Sequence, residues 1–322
     1  IENFGITIPE VLGAGVVLMV LFVVWERFQT EPLVPLSLFA DRNFAVANWI
    51  SAAISFGMLS MFLPFTIYLQ SARGFSALVA GLTLAPMSLV SMVTAPFAGR
   101  LADRVGGKYI LMAGITLFTI GMGSIAFVAG PDSTWINFLA PAMLAGLGIG
   151  MTFAPMTTVA MRNIEPRIAG AASGVLNTIR QLGAAVGSAV VGALLQFHLS
   201  NTLHDQAVTH ASQLPAAFRA QFIAAFTNVS SRGFEIGAGQ NGAQIPNSVP
   251  DAIKAQLAAI AHDVFVSAYI DAMKATFIVP ILFLALTALS TVLIKRRKRA
   301  AAAEAGHQFQ ERDEVRSAAG SR

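Results

Sequence analysis

Seven apolar runs, near residues 9–25, 44–70, 77–99, 109–129, 135–160, 169–196 and 269–294, constrain what this chain can become. Each reaches the roughly 17–25 residues that a helix needs to cross a hydrocarbon layer of about 30 Å. A spanning β-barrel needs alternating segments of about 10 residues, whereas these runs are continuous, and only a helix satisfies every backbone N–H and C=O within its own segment. Composition agrees, because 55% hydrophobic and 12% charged residues leave too little polar surface for a water-soluble globule of this size. The expected fold class is therefore an all-α membrane protein, and an ordinary soluble enzyme is excluded.

The chain has no Cys, which removes disulfides, thiolate nucleophiles and thiolate metal ligands. Its five His residues are dispersed and form no close ligand pair, so no metal site is expected. The net charge of +4 is scattered over short loops and a tail, which fits a membrane protein better than a nucleic-acid partner. Fifteen of the 21 basic residues fall in segments 26–43, 99–109, 161–168 and 295–322. The positive-inside rule then places the C-terminus in the cytoplasm, led by Lys295, Arg296, Arg297, Lys298 and Arg299. An inner-membrane, multi-pass protein is expected. Because the chain starts at Ile1 with no basic n-region or cleavage site before the first run, it is expected to be part of a longer one.

Five regions follow from this: 1–43, a first transmembrane helix and cytoplasmic linker; 44–196, further transmembrane helices; 197–268, an extracytoplasmic segment; 269–294, the last transmembrane helix; and 295–322, a basic cytoplasmic tail. Within 197–268, Phe218, Phe222 and Phe226 recur every four residues as an amphipathic stripe, and Pro250 with Asp251 predicts a helix start leading towards the last span. Asn228-Val229-Ser230 matches a glycosylation acceptor too loosely to inform.

The short inner loop Gly99-Arg100-Leu101-Ala102-Asp103-Arg104-Val105-Gly106-Gly107-Lys108 joins two spans. Gly106 permits a tight turn, Asp103 is placed to accept hydrogen bonds at the next helix's N-terminus, and Arg104 and Lys108 can pair with carboxylates or lipid phosphates. The loop resembles the G-x-L-a-D-r-x-G-r-k motif of the major facilitator superfamily, with one departure: Gly107 stands where that family usually has a basic residue. Gly170 to Gly183 (GAASGVLNTIRQLG), the Trp25-Glu26-Arg27 and Pro32-Leu33-Val34-Pro35-Leu36 stretch, and Arg42-Asn43-Phe44 are similar to the fourteen-span drug/proton antiporter subgroup. The resemblance implies the C-terminal six-helix half of such a fold plus one preceding helix, an absent N-terminal half as partner, and alternating access. It also implies proton-driven efflux of hydrophobic or cationic small molecules, no cofactor beyond the proton gradient, and a gating role for Gly99, Asp103, Arg104, Gly106 and Lys108.

The residues of the sixth run carry chemistry without any family. Ser173, Asn177, Arg180 and Gln181 are spaced i, i+4, i+7 and i+8 and share one helical face. Arg180 lies about 16 Å along the helix, where a guanidinium must face a wet cavity or a partner rather than lipid. Asn177, Arg180 and Gln181 are thus the candidate cavity or coupling residues. Weaker candidates are Asp271 and Lys274, an i, i+3 pair placed to form an ion pair at the outer end of the last span, and Met151 and Phe153 among the Met and Phe residues able to line an adaptable pocket. Gly146-x-Gly148-x-Gly150 and Gly183-x-x-x-Gly187 predict close helix packing, not nucleotide binding. Pro64, Pro86, Pro96 and Pro155 predict kinks. Two other readings remain: an exporter of a specific natural product or lipid, and a seven-helix receptor capped by the 197–268 segment. An enzyme is not expected, since no span carries an acid or His cluster for metal or acid/base work.

Overall fold

A computed structural model describes residues 8–29, 35–212, 219–220, 222–224 and 251–294. The basic tail from Lys295, residues 228–230, Phe218, Phe226 and Pro250 lie outside the described residues. The first run forms α1 (Ile8–Arg27), whose residues from Val17 to Trp25 are exposed. The next six runs form α2 (Arg42–Ile67), α3 (Ala77–Val105), α4 (Gly107–Val128), α5 (Leu139–Met161), α6 (Ala169–Ala211) and α7 (Asp251–Ser290). With their short flanking turns, these six are the helices among the described residues that are long and apolar enough to cross a membrane. Their Ser and Thr hydroxyls mostly return to carbonyls of their own helix, as Thr83 does to Val79, Thr152 to Gly148 and Thr276 to Ala272. A hydroxyl satisfied in this way can enter an apolar layer without an orphaned donor.

In the packing, α2 is flanked by α5 and α6, and α3 lies on the far side of α5. Behind them α4 and α7 pack against each other, α4 also onto α5 and α7 also onto α2 and α6. Hydrogen bonds tie the helix ends in register. At one end Asn163 Nδ2 donates to Asp41 Oδ2 (2.7 Å), and Lys108 Nζ donates to the Val292 carbonyl (2.7 Å). At the other, the Tyr68 hydroxyl donates to the Gly130 carbonyl (2.7 Å), and Arg73 donates to the carbonyls of Ser133 and Pro131. The first end is also where the basic residues Arg42, Arg100, Arg104, Lys108, Arg162 and Arg167 collect.

Close approach between helices occurs at glycines. A Cβ on Gly183 would run into the Ala52 carbonyl, and one on Gly187 would sit 2.5 Å from the Phe56 carbonyl oxygen, so α6 lies directly on the α2 backbone. The three glycines of α5 divide their work: Gly146 and Gly150 meet Met87 and Ser91 of α3, while Gly148 meets Gly114 and Phe118 of α4. The packing reading of both glycine patterns holds, and α5 is wedged between two neighbours because its glycines lie on two faces.

Two boundaries differ from the hydropathy reading. The sixth run ends at 196, yet α6 continues for 43 residues, about 65 Å, more than twice a hydrocarbon layer. Its buried residues recur every four positions from Gly183 through Gly187, Val191, Leu195, Leu199, Leu203 and Ala207 to Ala211. That stripe packs beyond the apolar run on Ile260, Val264, Phe265 and Ala268 of α7, and the Thr202 hydroxyl donates to the Ala268 carbonyl (3.0 Å). Likewise, α7 starts at Asp251 and reaches Ser290 without a break. Hydropathy detects where lipid ends; the helical hairpin continues because a narrow apolar seam suffices between two helices. Phe222 is buried against this cluster.

The α2–α6 seam predicts a specific pattern of stability. Gly187→Val should destabilise the purified protein by about 1–3 kcal/mol through overpacking. Gly174→Ala on the same helix, where nothing lies within 4 Å, should not. Thermal aggregation midpoints in detergent distinguish the two, and equal midpoints would contradict the seam.

Candidate functional site

The residues that pack α6 also decide where its polar face points. Ala172, Val175, Leu176, Gly183 and Gly187 are buried, whereas Ser173, Asn177, Arg180 and Gln181 are exposed on the other side of the helix. Arg180 Nη2 donates to Asn177 Oδ1 at 2.6 Å, within one helical turn. Its guanidinium carbon lies 5.9 Å from the centroid of the Phe153 ring on α5. An aromatic face at that distance attracts a cation through its quadrupole and covers one side of it. Arg180 therefore reaches from α6 to α5, the two helices that flank α2.

Depth follows from the helical rise. Arg180 is about 16 Å from Ala169 along α6, and Phe153 is about 12 Å from the Met161 end of α5. Both therefore lie near the middle of an apolar layer about 30 Å thick. Of the sequence candidates, Arg180, Asn177 and Phe153 come together; Gln181 shares their exposed face and makes no hydrogen bond among the described residues. Met151 lies elsewhere, packed on Ala98, Ala102 and Ile110 between α3 and α4. Met61, Met87 and Met156 are buried in the main core, so these thioethers fill space between helices and do not line an open pocket.

The expected Asp271–Lys274 ion pair is absent; both side chains are exposed, and Asp271 Oδ2 accepts from Gln206 Nε2 of α6 at 3.1 Å. This bond braces α6 against the middle of α7, where its apolar run begins, away from Arg180. No group of three or more His, Asp or Glu capable of holding a metal occurs among the described residues.

The inner loop is shorter than a loop. The α3 helix ends at Val105, α4 begins at Gly107, and Gly106 alone turns the chain, with φ +91°. That angle lies in the left-handed region that favours glycine. Asp103 sits in the last turn of α3, exposed, and does not cap α4, whose N-cap Gly106 has no side-chain bond. The expectation failed because a one-residue turn leaves Asp103 inside the preceding helix. Arg100 and Arg104 are also exposed, while Lys108 caps the C-terminal end of α7 through Val292. Gly99 lies in ordinary contact with Ala154 of α5, 3.5 Å from where its Cβ would be.

Gly107, the departure from the motif, has a packing explanation. A Cβ there would lie 2.5 Å from Val159 Cγ2 and 3.4 Å from the Pro155 carbonyl, so α4 starts flush against α5. The role of Gly107 was invisible in the sequence, where its only sign was that it broke the pattern.

Residues 4–188, more than half of the chain, match the Major Facilitator Superfamily. The chain belongs to that superfamily. It is similar to the uncharacterized MFS-type transporter Rv1250 of Mycobacterium tuberculosis, 37% identical over 60% of this chain and 34% of that protein. It is similar also to the multidrug resistance protein Stp of the same species, 33% identical over 57% of this chain and 34% of Stp. With the multidrug resistance protein B homolog of that species it shares 28% identity over 76% of this chain and 42% of the relative. The chain thus spans less than half the length of these relatives. Together with the six long apolar helices, the family match makes it an integral, multi-pass, all-α membrane protein.

Restoring a basic residue at the departing position tests the packing account. Gly107→Arg should lower stability by about 1–3 kcal/mol, and Val159→Ala should recover much of the loss by vacating the contested space. Thermal midpoints of the single and double variants check this, and strictly additive losses would contradict it.

Proposed function

We propose that the chain supplies the C-terminal half of a proton-coupled efflux antiporter of the fourteen-span type. It exports hydrophobic small molecules by alternating access, with the remainder of a longer chain as the opposing half. The observation that carries this reading is Arg180, held by Asn177 and Phe153 on an exposed face at membrane depth. A guanidinium at that depth is costly in lipid, about 2.5–3.5 kcal/mol at a helix centre on insertion scales, and is accommodated beside a wet cavity. The names of the relatives, two of them multidrug resistance proteins, support export as the direction.

In this mechanism the two halves rock about the cavity, and the tied inner ends of α2, α4, α5 and α7 move as one body. Arg100, Asp103 and Arg104 are left exposed at that end, free to pair across to the opposing half and hold the inward-closed state. Asn177 and Gln181 contribute neutral hydrogen-bonding groups to the cavity wall. The energy source is the proton gradient across an inner membrane, and no bound cofactor takes part.

Cells expressing the full-length chain should extrude a fluorescent lipophilic probe in a manner abolished by an uncoupler. Export that continues at full rate after collapse of the gradient would overturn the coupling. Topology has its own test. These 322 residues contain no Cys, so Asp132→Cys, exposed in the α4–α5 turn, is a single label site once any Cys in the remainder of the full-length chain is replaced by Ser. It should react with an impermeant maleimide from outside intact cells, and reaction only after permeabilisation would invert the orientation.

A further inference from the structure

We infer that the Arg180 site selects small molecules bearing a carboxylate or similar anionic group on an apolar frame, and disfavours lipophilic cations. The inference rests on the efflux reading and narrows its substrate class. It begins from charge balance. The sequence has no Asp or Glu between Asp41 and Asp103, between Asp132 and Glu165, between Glu165 and Asp205, or between Asp271 and Glu304. The membrane-crossing parts of α2, α3, α5, α6 and α7 therefore bring no negative charge to Arg180, and α4 contains none either.

The partners the guanidinium does have are neutral. Asn177 accepts from Nη2, and the Phe153 ring covers one face. These contacts aim the group without discharging it. Among the described residues, Nε and Nη1 have no hydrogen-bond partner and Nη2 keeps a second hydrogen beside the one given to Asn177, so one edge of the guanidinium, Nη2 with Nε or with Nη1, remains available. Two parallel donors on a planar edge match the two oxygens of a carboxylate, a geometry that an ammonium cannot offer. The exposed Ser173 and Gln181 side chains on the same face add neutral hydrogen-bonding groups beside it, and Phe153 supplies an apolar wall.

Low dielectric sharpens the selection. In a cavity within the hydrocarbon layer, like charges repel and opposite charges attract far more strongly than in water. A cationic substrate would approach a fixed positive charge with no acid on these helices to offset it. An anionic amphiphile would neutralise it and place its apolar body against Phe153.

The test uses the full-length chain in inside-out vesicles with three fluorescent probes: a neutral boron-dipyrromethene dye bearing a free carboxylate, its methyl ester, and a lipophilic rhodamine-type cation without a free carboxylate. Wild type should export the free acid. Arg180→Gln should lower the acid-to-ester ratio of kcat/KM about 10- to 100-fold, the loss expected for a charge-assisted pair. A thermal midpoint close to that of wild type in detergent certifies the folding of the variant. Arg180→Lys, which keeps the charge and loses the fork, should fall between the two for the acid. A parallel loss for all three probes in Arg180→Gln, with normal membrane insertion, would overturn the inference, because it would mean that Arg180 serves a step common to every substrate and does not select by charge. Wild-type export of the cation in preference to the acid would overturn it as well. If wild type exports none of the probes, the efflux reading fails, and fluorescence polarisation of the free acid on purified full-length protein still decides the charge selection. Tighter binding of acid than ester, lost in Arg180→Gln, supports it, and equal binding overturns it.

Discussion

Everything in this structure depends on how close two helices can come when no hydrophobic effect pushes them together. In lipid, a leucine gains little by leaving one apolar environment for another, so cohesion comes from contact and from hydrogen bonds. Gly183 and Gly187 let α6 lie on the α2 backbone, and Gly146, Gly148 and Gly150 let α5 touch α3 and α4 at once. Each bare position is occupied by a neighbour's backbone or by an atom held in the neighbouring helix.

That seam also orients the chemistry. At 100° per residue, turning Gly183 towards α2 places Arg180 about 60° and Asn177 about 120° around α6 from the contact line. The polar residues are thereby carried out of the helix interface yet kept within reach of α5, where Phe153 meets the guanidinium. A rotation of α6 by one residue's worth would bury Arg180 against α2 or turn it towards lipid, each at the cost of an unsolvated charge. Packing and polarity thus specify the same rotation of the helix, and this agreement between levels is what fixes a single arrangement.

How much of this could be read from the sequence depended on the kind of signal. The membrane class and the helices rest on long apolar runs, which average over many residues and survive small errors. The Asn177–Arg180 pairing follows from spacing along one helix, so it too was legible, and the link to Phe153 required a second helix whose rotation no local pattern supplies. Met151 and Phe153 are only two residues apart, yet α5 turns them to different neighbours. The start of α7 at Asp251 was signalled by Pro250 and Asp251, whereas the extent of α6 was misjudged because hydropathy measures the solvent around a helix, and Leu199, Leu203, Ala207 and Ala211 continue a seam one side chain wide.

The inner loop shows the same limit more sharply. Its sequence pattern is shared with a family, and a shared pattern suggests a common role for every position in it. Here the positions separate by what surrounds them. Gly106 serves a backbone angle, Gly107 serves the contact with Val159, and Lys108 serves the end of α7. Arg100, Asp103 and Arg104 are exposed on the last two turns of α3. The residues that shape the turn are satisfied within the bundle, and those left over are charged and point outward. A loop meant only to connect two helices would need the first group alone; the second is surplus to the fold, and surplus charge at one end of the bundle is the feature that a contact with another surface would use.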